Sequence, residues 1–394
     1  MTDTVLGTQD VTGVGKIGRL HDNIRRAQRR ESLHQEIADA YTDYAKWKAR
    51  VQDGTNVAFS MDVSLLEQWG FANGGSPALQ IYAAPSLDWT AFKSKAWGTG
   101  SIQVAYNVTG YPTTQNAAGI QSKLGLITPI NDSPAKKLNF AQLTYTQASP
   151  ANKWLFTAGQ YPLSNFDGNA YLGNQQQNFS SYLFAQNATQ TYLNAGLGAY
   201  VQFNPTSTIQ LAAGFQGANN ALGQTISIKN FNRDCCASFG YLQWAPSFPG
   251  LGHAQYSFSY FDTPRLPAQP ASRGWSVNAV QNLSDTWAVF ARVNTASGFV
   301  TPIKNAYAFG VAMNNPMQRA STDQIALAIG LSDAASPPTN PPSARNERVV
   351  EAYWTWTSFG GLILTPSVQL VVDPALNPAK RNVSVLSLRA TFMF

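Results

Sequence analysis

The chain has 394 residues, of which only 12% are charged and 12% aromatic, with 30 glycines, 22 prolines and a net charge of +6. About a quarter of an ordinary soluble domain is charged, so this balance argues against a helical or α/β enzyme and for a β-rich chain. No apolar run approaches the length of a transmembrane helix, but a mean hydropathy of −0.20 does not exclude a membrane β-barrel, whose strands turn only alternate residues to lipid.

Residues 1–14 show no basic region followed by an apolar stretch, so no signal peptide is visible. Gly13, Gly15 and Gly18 have the spacing of a dinucleotide fingerprint but follow no buried strand, and a nucleotide site is not expected there. Charge is concentrated next: 16–53 hold nine basic and six acidic residues. Within that stretch Ile17, Leu20 and Ile24, then Leu33, Ile37, Tyr41 and Tyr44, recur at three and four residues, predicting helix over 17–51. The spacing slips between Ala27 and Leu33, so no long heptad is sustained. Such a helix suits docking a periplasmic protein, self-association as a short coiled coil, or a solvated lone helix. It defines a periplasmic helical segment, 1–54, preceding a barrel at 55–394.

Beyond Gly54 the apolar period drops to two. Leu386, Leu388, Ala390, Phe392 and Phe394 alternate with Ser387, Arg389, Thr391 and Met393; Phe59, Met61, Val63 and Leu65 alternate with Ser60, Asp62 and Ser64. The same pattern predicts strands at 55–66, 79–90, 99–109, 138–147, 153–160, 191–203, 207–217, 236–245, 253–262, 273–282, 286–295, 304–313, 324–332, 347–357, 360–373 and 382–394. Sixteen antiparallel strands form an up-and-down barrel with both termini on one side. Connections after even strands are mostly tight, as at 148–152, 204–206, 283–285 and 358–359, whereas 110–137, 161–190, 218–235 and 332–346 are long and follow odd strands. The link 314–323 is longer than this rule expects.

The polar faces carry mostly Ser, Thr, Asn, Gln, Gly and Tyr, a poor surface for a soluble sandwich but a suitable wall for a water-filled lumen. Trp69, Trp89, Trp244, Trp275, Trp287, Trp354 and Phe394 fit aromatic girdles at the membrane interfaces. The fold expected is therefore all-β: a sixteen-stranded transmembrane β-barrel with an N-terminal helical segment, in a bacterial outer membrane. Nothing points to bond chemistry. His21, His34 and His253 lack metal spacing, Cys235 and Cys236 are adjacent and form no metal motif, and there is no Gly-x-Ser-x-Gly nucleophile. No cofactor is expected, and no basic stripe with interleaved aromatics suggests nucleic acid.

Three stretches then carry a resemblance. Residues 56–75 lead a first strand into Asn73, Gly74 and Gly75; 138–168 hold a strand pair ending in Ala158, Gly159 and Gln160; and 350–394 contain Leu364-Thr365-Pro366-Ser367-Val368-Gln369, then Asp373-Pro374, before the terminal Phe394. In these the chain resembles the carbohydrate-selective porin family of Gram-negative outer membranes, of which OprB is the best-known type. It departs from the family's pattern at Ser367 and Asp373. The resemblance implies a sixteen-stranded channel for passive diffusion of small sugars, with Phe394 as the terminal aromatic read by barrel-assembly machinery. The alternative expectation is an outer-membrane anchor, or the exit channel of a polysaccharide export assembly, with the helix docking its partner.

Sugar recognition needs planar polar groups for hydroxyls and aromatic faces for ring stacking. The 161–190 connection carries both: Asn165, Asp167, Gln175 and Gln177 lie among Phe166, Tyr171, Phe179 and Tyr182. It is expected to fold into the lumen as a constriction, the other possibility being an extracellular lid. Strand phase further assigns Asp62, Asp88, Lys153, Arg292, Glu347, Glu351 and Arg389 to the lumen, since an ionised basic group facing lipid at midplane costs about 2–4 kcal/mol. Arg292, Glu351 and Arg389, set among neutral strands, are the leading candidates for a charged eyelet.

Overall fold

The computed structural model describes residues 35–71, 75–190, 195–218, 236–265, 270–298, 301–320, 322–336, 339–358 and 362–394, with side chains from 43 onward. The glycine-rich 13–18 stretch, His21, His34 and the first half of the expected helix lie outside the described residues.

A helix, α1 (Gln35–Thr55), precedes the sheet. It stops where Asn56 takes a φ of 55°, and Asn56 turns the chain directly into the first strand. Among the described residues, sixteen strands then close a barrel: β1 (Val57–Phe71), β2 (Ala78–Ser94), β3 (Gly98–Gly110), β4 (Lys137–Ala148), β5 (Trp154–Tyr161), β6 (Gly196–Phe203), β7 (Ile209–Gly217), β8 (Cys236–Trp244), β9 (Gly252–Thr263), β10 (Ser272–Asn282), β11 (Trp287–Ser297), β12 (Ile303–Asn314), β13 (Gln324–Ala334), β14 (Glu347–Thr357), β15 (Leu362–Val372) and β16 (Asn382–Met393). A two-residue bridge, Ser247–Phe248, decorates the turn before β9. Every strand pairs antiparallel with its sequence neighbours, and β1 closes on β16 in a register running from Asp62 opposite Met393 to Phe71 opposite Ser384. Closure removes the free edges that an open sheet would expose to lipid.

The sixteen strands match the alternation in the sequence, with shifts at the ends. β1 and β2 run five and four residues past the expected stops, to Phe71 and Ser94. The expected starts of the sixth and fifteenth strands fall partly outside the described residues. The long even-strand link after β12 contains a 3-10 turn, Pro316–Gln318, in which Asn315, Met317 and Gln318 all adopt positive φ. An Arg319–Asp323 ion pair ties its far end.

Outward positions are apolar and exposed, including Leu65, Phe215, Leu327, Ile329, Leu386 and Leu388. At the short-turn rim Trp89, Phe92, Trp97, Trp154, Trp244, Trp287, Trp356 and Phe394 stand exposed as one aromatic belt, the arrangement that a membrane–water boundary stabilises. Lys153 departs from its expected lumen position. It is exposed in the β4–β5 turn, with its ammonium 5.8 Å from the Phe203 ring.

The interior is not uniformly polar. An apolar cluster fills part of the lumen: Ile120, Leu124, Ile127 and Ile130 from the β3–β4 connection meet Tyr171, Leu172, Phe179 and Phe184 from the β5–β6 connection. Both sets pack on inward-facing Phe290 of β11, Tyr353 of β14 and Val385 of β16. A second cluster joins Leu163 and Phe166 to Tyr200, Phe239 and Phe261 on the wall. Among the described residues two connections, not one, fold inside the barrel.

Candidate functional site

The first inward connection, 111–136, contains α2 (Ala117–Leu124), whose N-terminus is capped by the Asn116 side chain accepting from the Gly119 N–H at 2.9 Å. Gly125, at φ 74°, ends the helix in the left-handed conformation that favours glycine. The chain then descends along the wall. Its Ile127 and Thr128 N–H groups donate to the two Glu347 carboxylate oxygens at 2.8 and 3.0 Å. Glu347 also accepts from the Ala375 N–H of the β15–β16 connection at 2.9 Å. Gln68 and Gln369 donate to the Ile130 carbonyl, and Asn131 donates to Gln68 at 2.7 Å. Just beyond β3, the Tyr111 hydroxyl donates to the Ser133 carbonyl at 2.7 Å, and burial pushes its phenol up to about 12, so it stays neutral.

The second inward connection, described over 162–190, is held by three buried charges from the wall. Glu351 accepts from the Ser180 N–H and hydroxyl, each at 2.8 Å, and from the Ser181 N–H at 2.9 Å. Arg389 donates to the carbonyls of Gln175 and, at 3.0 Å, Asn178. Arg292 donates to the carbonyls of Leu172 at 2.8 Å and Gln186 at 2.7 Å, and through Nε to Asn278 at 2.8 Å. These charges therefore lie inward as strand phase requires, yet they clasp loop backbone instead of facing open water.

The loop residues singled out by sequence are also largely structural partners. Asp167 accepts from Ser276, Asn278 and Asn187 at 2.7–2.9 Å and lies 3.9 Å from Arg292. Tyr171 stacks on Phe290 at 5.1 Å and accepts a hydrogen bond from Asn314. Gln175 donates to Gln80 and accepts from the Asp132 N–H, stitching the two loops together. Asn165 is buried, 3.5 Å from Gln142, and Gln177 is half-buried beside Met393.

Between the loops and the wall lies an off-centre cavity of about 570 Å³, bounded by the inner faces of β1–β4, by both loops and by Thr301, Pro302 and Ile303 at the start of β12. That volume lies within the usual range of small-molecule sites, about 300–1,000 Å³. Its lining combines amides (Gln103, Asn107, Gln142, Gln176, Gln186), the rings of Tyr82 and Tyr182, two carboxylates (Asp62, Asp132) and two ammonium groups (Lys136, Lys137). Of the leading sequence candidates, none lines this cavity; Asp62 and Tyr182, named beside them, do, together with Gln176 and Gln186 of the same connection. Tyr82 was legible, because counting back by twos from inward-facing Asp88 reaches it. The first loop's apolar Ile127 and Ile130, odd in a long polar connection, were the sign that it packs inside. Among the described residues no three His, Cys, Asp or Glu side chains converge as a metal site requires.

A closed sixteen-stranded barrel with two lumenal loops suits a diffusion channel, and the family model for the carbohydrate-selective porin, OprB family, matches residues 98–394. The chain belongs to this family. As an OprB-family chain it is an outer-membrane porin and not an enzyme. Porin AaxA of Chlamydia abortus is 35% identical over 353 residues, covering 87% of this chain and 78% of that relative. Porin AaxA of Chlamydia pneumoniae is 36% identical over 352 residues, covering 86% and 80%. In fold the OprB-family chain is similar to Pseudomonas putida OprB at high pH, with a TM-score of 0.73 and 15% identity over 89% of this chain and 97% of that one. Salmonella typhi OmpF in complex with daunomycin follows at a TM-score of 0.58, 11% identity, and coverage of 87% and 99%.

Proposed function

We propose that small sugars cross the outer membrane through the off-centre cavity, down their gradient and without any covalent step. The observation that carries this reading is the cavity's lining, in which amides and hydroxyls outnumber charges and two tyrosines supply ring faces. Amides match sugar hydroxyls, and aromatic faces match the apolar sides of pyranose rings. Each hydrogen bond replaces one to water and so is worth only about 0.5–1.5 kcal/mol, which keeps binding weak enough for release. In this reading Asn165, Asp167, Tyr171, Gln175 and Gln177 build the constriction from within, while Arg292, Glu351 and Arg389 hold it at its height. Residues 1–54 are the periplasmic segment that precedes the barrel, and Phe394 is the signal for barrel-assembly machinery.

The test is single-channel recording in planar bilayers with sugar added to one side. Sugar should reduce the ion current with half-saturation of about a millimolar, or roughly −4 kcal/mol. Shortening 165–186 should raise conductance and weaken the block. A channel that conducts ions but is indifferent to sugar, with or without that loop, sinks the proposal.

A further inference from the structure

The lower end of α1 does not stand free of the barrel. On β1, Ala58 and Ser60 turn inward, whereas Phe59 shares the outward face with Met61 and Leu65, which are exposed to lipid. The helix packs on that outward face. Trp47 meets Phe59 edge-on with ring centroids 5.7 Å apart, and Tyr44 lies 5.7 Å from Trp47. Lys48, only 6% exposed, sets its ammonium 4.9 Å from the Phe59 ring and 5.6 Å from Tyr44.

The height of this contact is fixed by register. Val57 pairs with Trp89, and Met61 exchanges both backbone hydrogen bonds with Phe394. Trp89 and Phe394 belong to the aromatic belt at the short-turn rim, so Trp47 extends that belt outward from the wall. Trp47 is itself 46% exposed. Exposed Lys46 and Arg50 flank it, and charge over 43–55 sums to a small positive excess. A half-exposed indole beside a lipid-facing ring, with basic groups on long stems at either side, is the chemistry of a membrane boundary, where the ring sits at the headgroups and the cations reach their phosphates.

We propose that α1 is an interfacial helix: its 44–50 turn lies against the periplasm-facing leaflet, seated in the glycerophospholipid headgroup layer beside β1. The occupant follows from continuity with the barrel's own lipid-facing surface. A soluble partner would need the aromatic side turned away from the bilayer, and here it is turned along it. The helix thereby holds the mouth of the barrel at a fixed depth, through the rigid turn at Asn56.

The test uses the full chain reconstituted in phosphatidylethanolamine–phosphatidylglycerol vesicles, with a nitroxide placed by Ala49→Cys, a small exposed position, and labelled without reductant so that the disulfide-bonded Cys236 stays closed. Leu327→Cys serves as the lipid reference and Ser207→Cys, in a short turn, as the aqueous one. Collisional accessibility at 49 should favour oxygen over a nickel chelate several-fold more than at 207 and less than at 327. Adding Trp47→Ala should move the label toward the value at 207, while heat-modifiable gel migration stays unchanged. An accessibility at 49 equal to that at 207 overturns the proposal. So does protection from both reagents, or spin–spin broadening between labels, since either places a second copy where the lipid should be.

Discussion

Replacing Glu351 with glutamine should release the second lumenal loop without opening the barrel. The carboxylate takes three donors, with the Ser180 N–H and hydroxyl on one oxygen and the Ser181 N–H on the other. Glutamine keeps the shape but turns one acceptor into a donor, so one buried N–H meets another and loses its partner. A hydrogen bond to a charged group contributes about 1.5–3 kcal/mol, and an unsatisfied buried donor costs about 1–3 kcal/mol. Taking about 3 kcal/mol together, the ratio of seated to released loop falls by about two powers of ten. The ladder from β1 to β16 does not involve Glu351's side chain, so heat-modifiable gel migration should stay as in the parent protein. Single-channel traces should show higher mean conductance with added current noise, and peptides covering 175–187 should exchange amide hydrogens faster. Unchanged conductance, noise and exchange would refute the reasoning, because the loop would then be held by its apolar contacts alone.

Arg292→Met removes the donors that hold the Leu172 and Gln186 carbonyls, and it should likewise raise conductance and current noise in single-channel recording. Tyr82→Ala should raise the half-saturating sugar concentration about two- to tenfold, the equivalent of one interaction of about 0.5–1.5 kcal/mol, with little change in ion current. Asp132→Asn removes a carboxylate from the cavity lining, and the reversal potential in a salt gradient should shift toward anions. Phe394 pairs its backbone with Met61 and stacks near Phe392 at 6.5 Å; deleting it should lower the amount in outer-membrane fractions while total synthesis, measured by pulse labelling, is unchanged.

The barrel was legible in the sequence because its wall obeys a local rule. A strand such as β16 must present Leu386 and Leu388 to lipid and Ser387 and Arg389 inward, and a residue's face follows from its neighbours two positions away. Strand ends were less legible, since β1 and β2 continue past their alternating cores wherever a neighbour is long enough to pair. Apart from Lys153, which lies exposed in the β4–β5 turn, the charged residues that strand phase assigned to the lumen do turn inward. Their partners were not legible, because Glu351 and Ser180, or Arg292 and Leu172, are more than a hundred residues apart.

The inward aromatics are where the local rule fails, and they show why the open cavity is off-centre. Phe290 and Tyr353 point into a lumen that strand periodicity alone would fill with water, a position that is unfavourable for an isolated wall. They are stable there because Tyr171 stacks on Phe290 and Phe179 packs edge-on against Tyr353 at 4.7 Å. Apolar wall and apolar loop therefore need each other, and they gather on the β10–β16 side, with a smaller set, Leu163 and Phe166 on Tyr200, Phe239 and Phe261, continuing along β6–β9. The opposite wall, β1–β4, offers Asp62, Tyr82, Gln103 and Gln142 instead, to which no apolar loop can bind with profit. Water and solute are left on that side, so the position of the open cavity follows from which strands break their polar inner face.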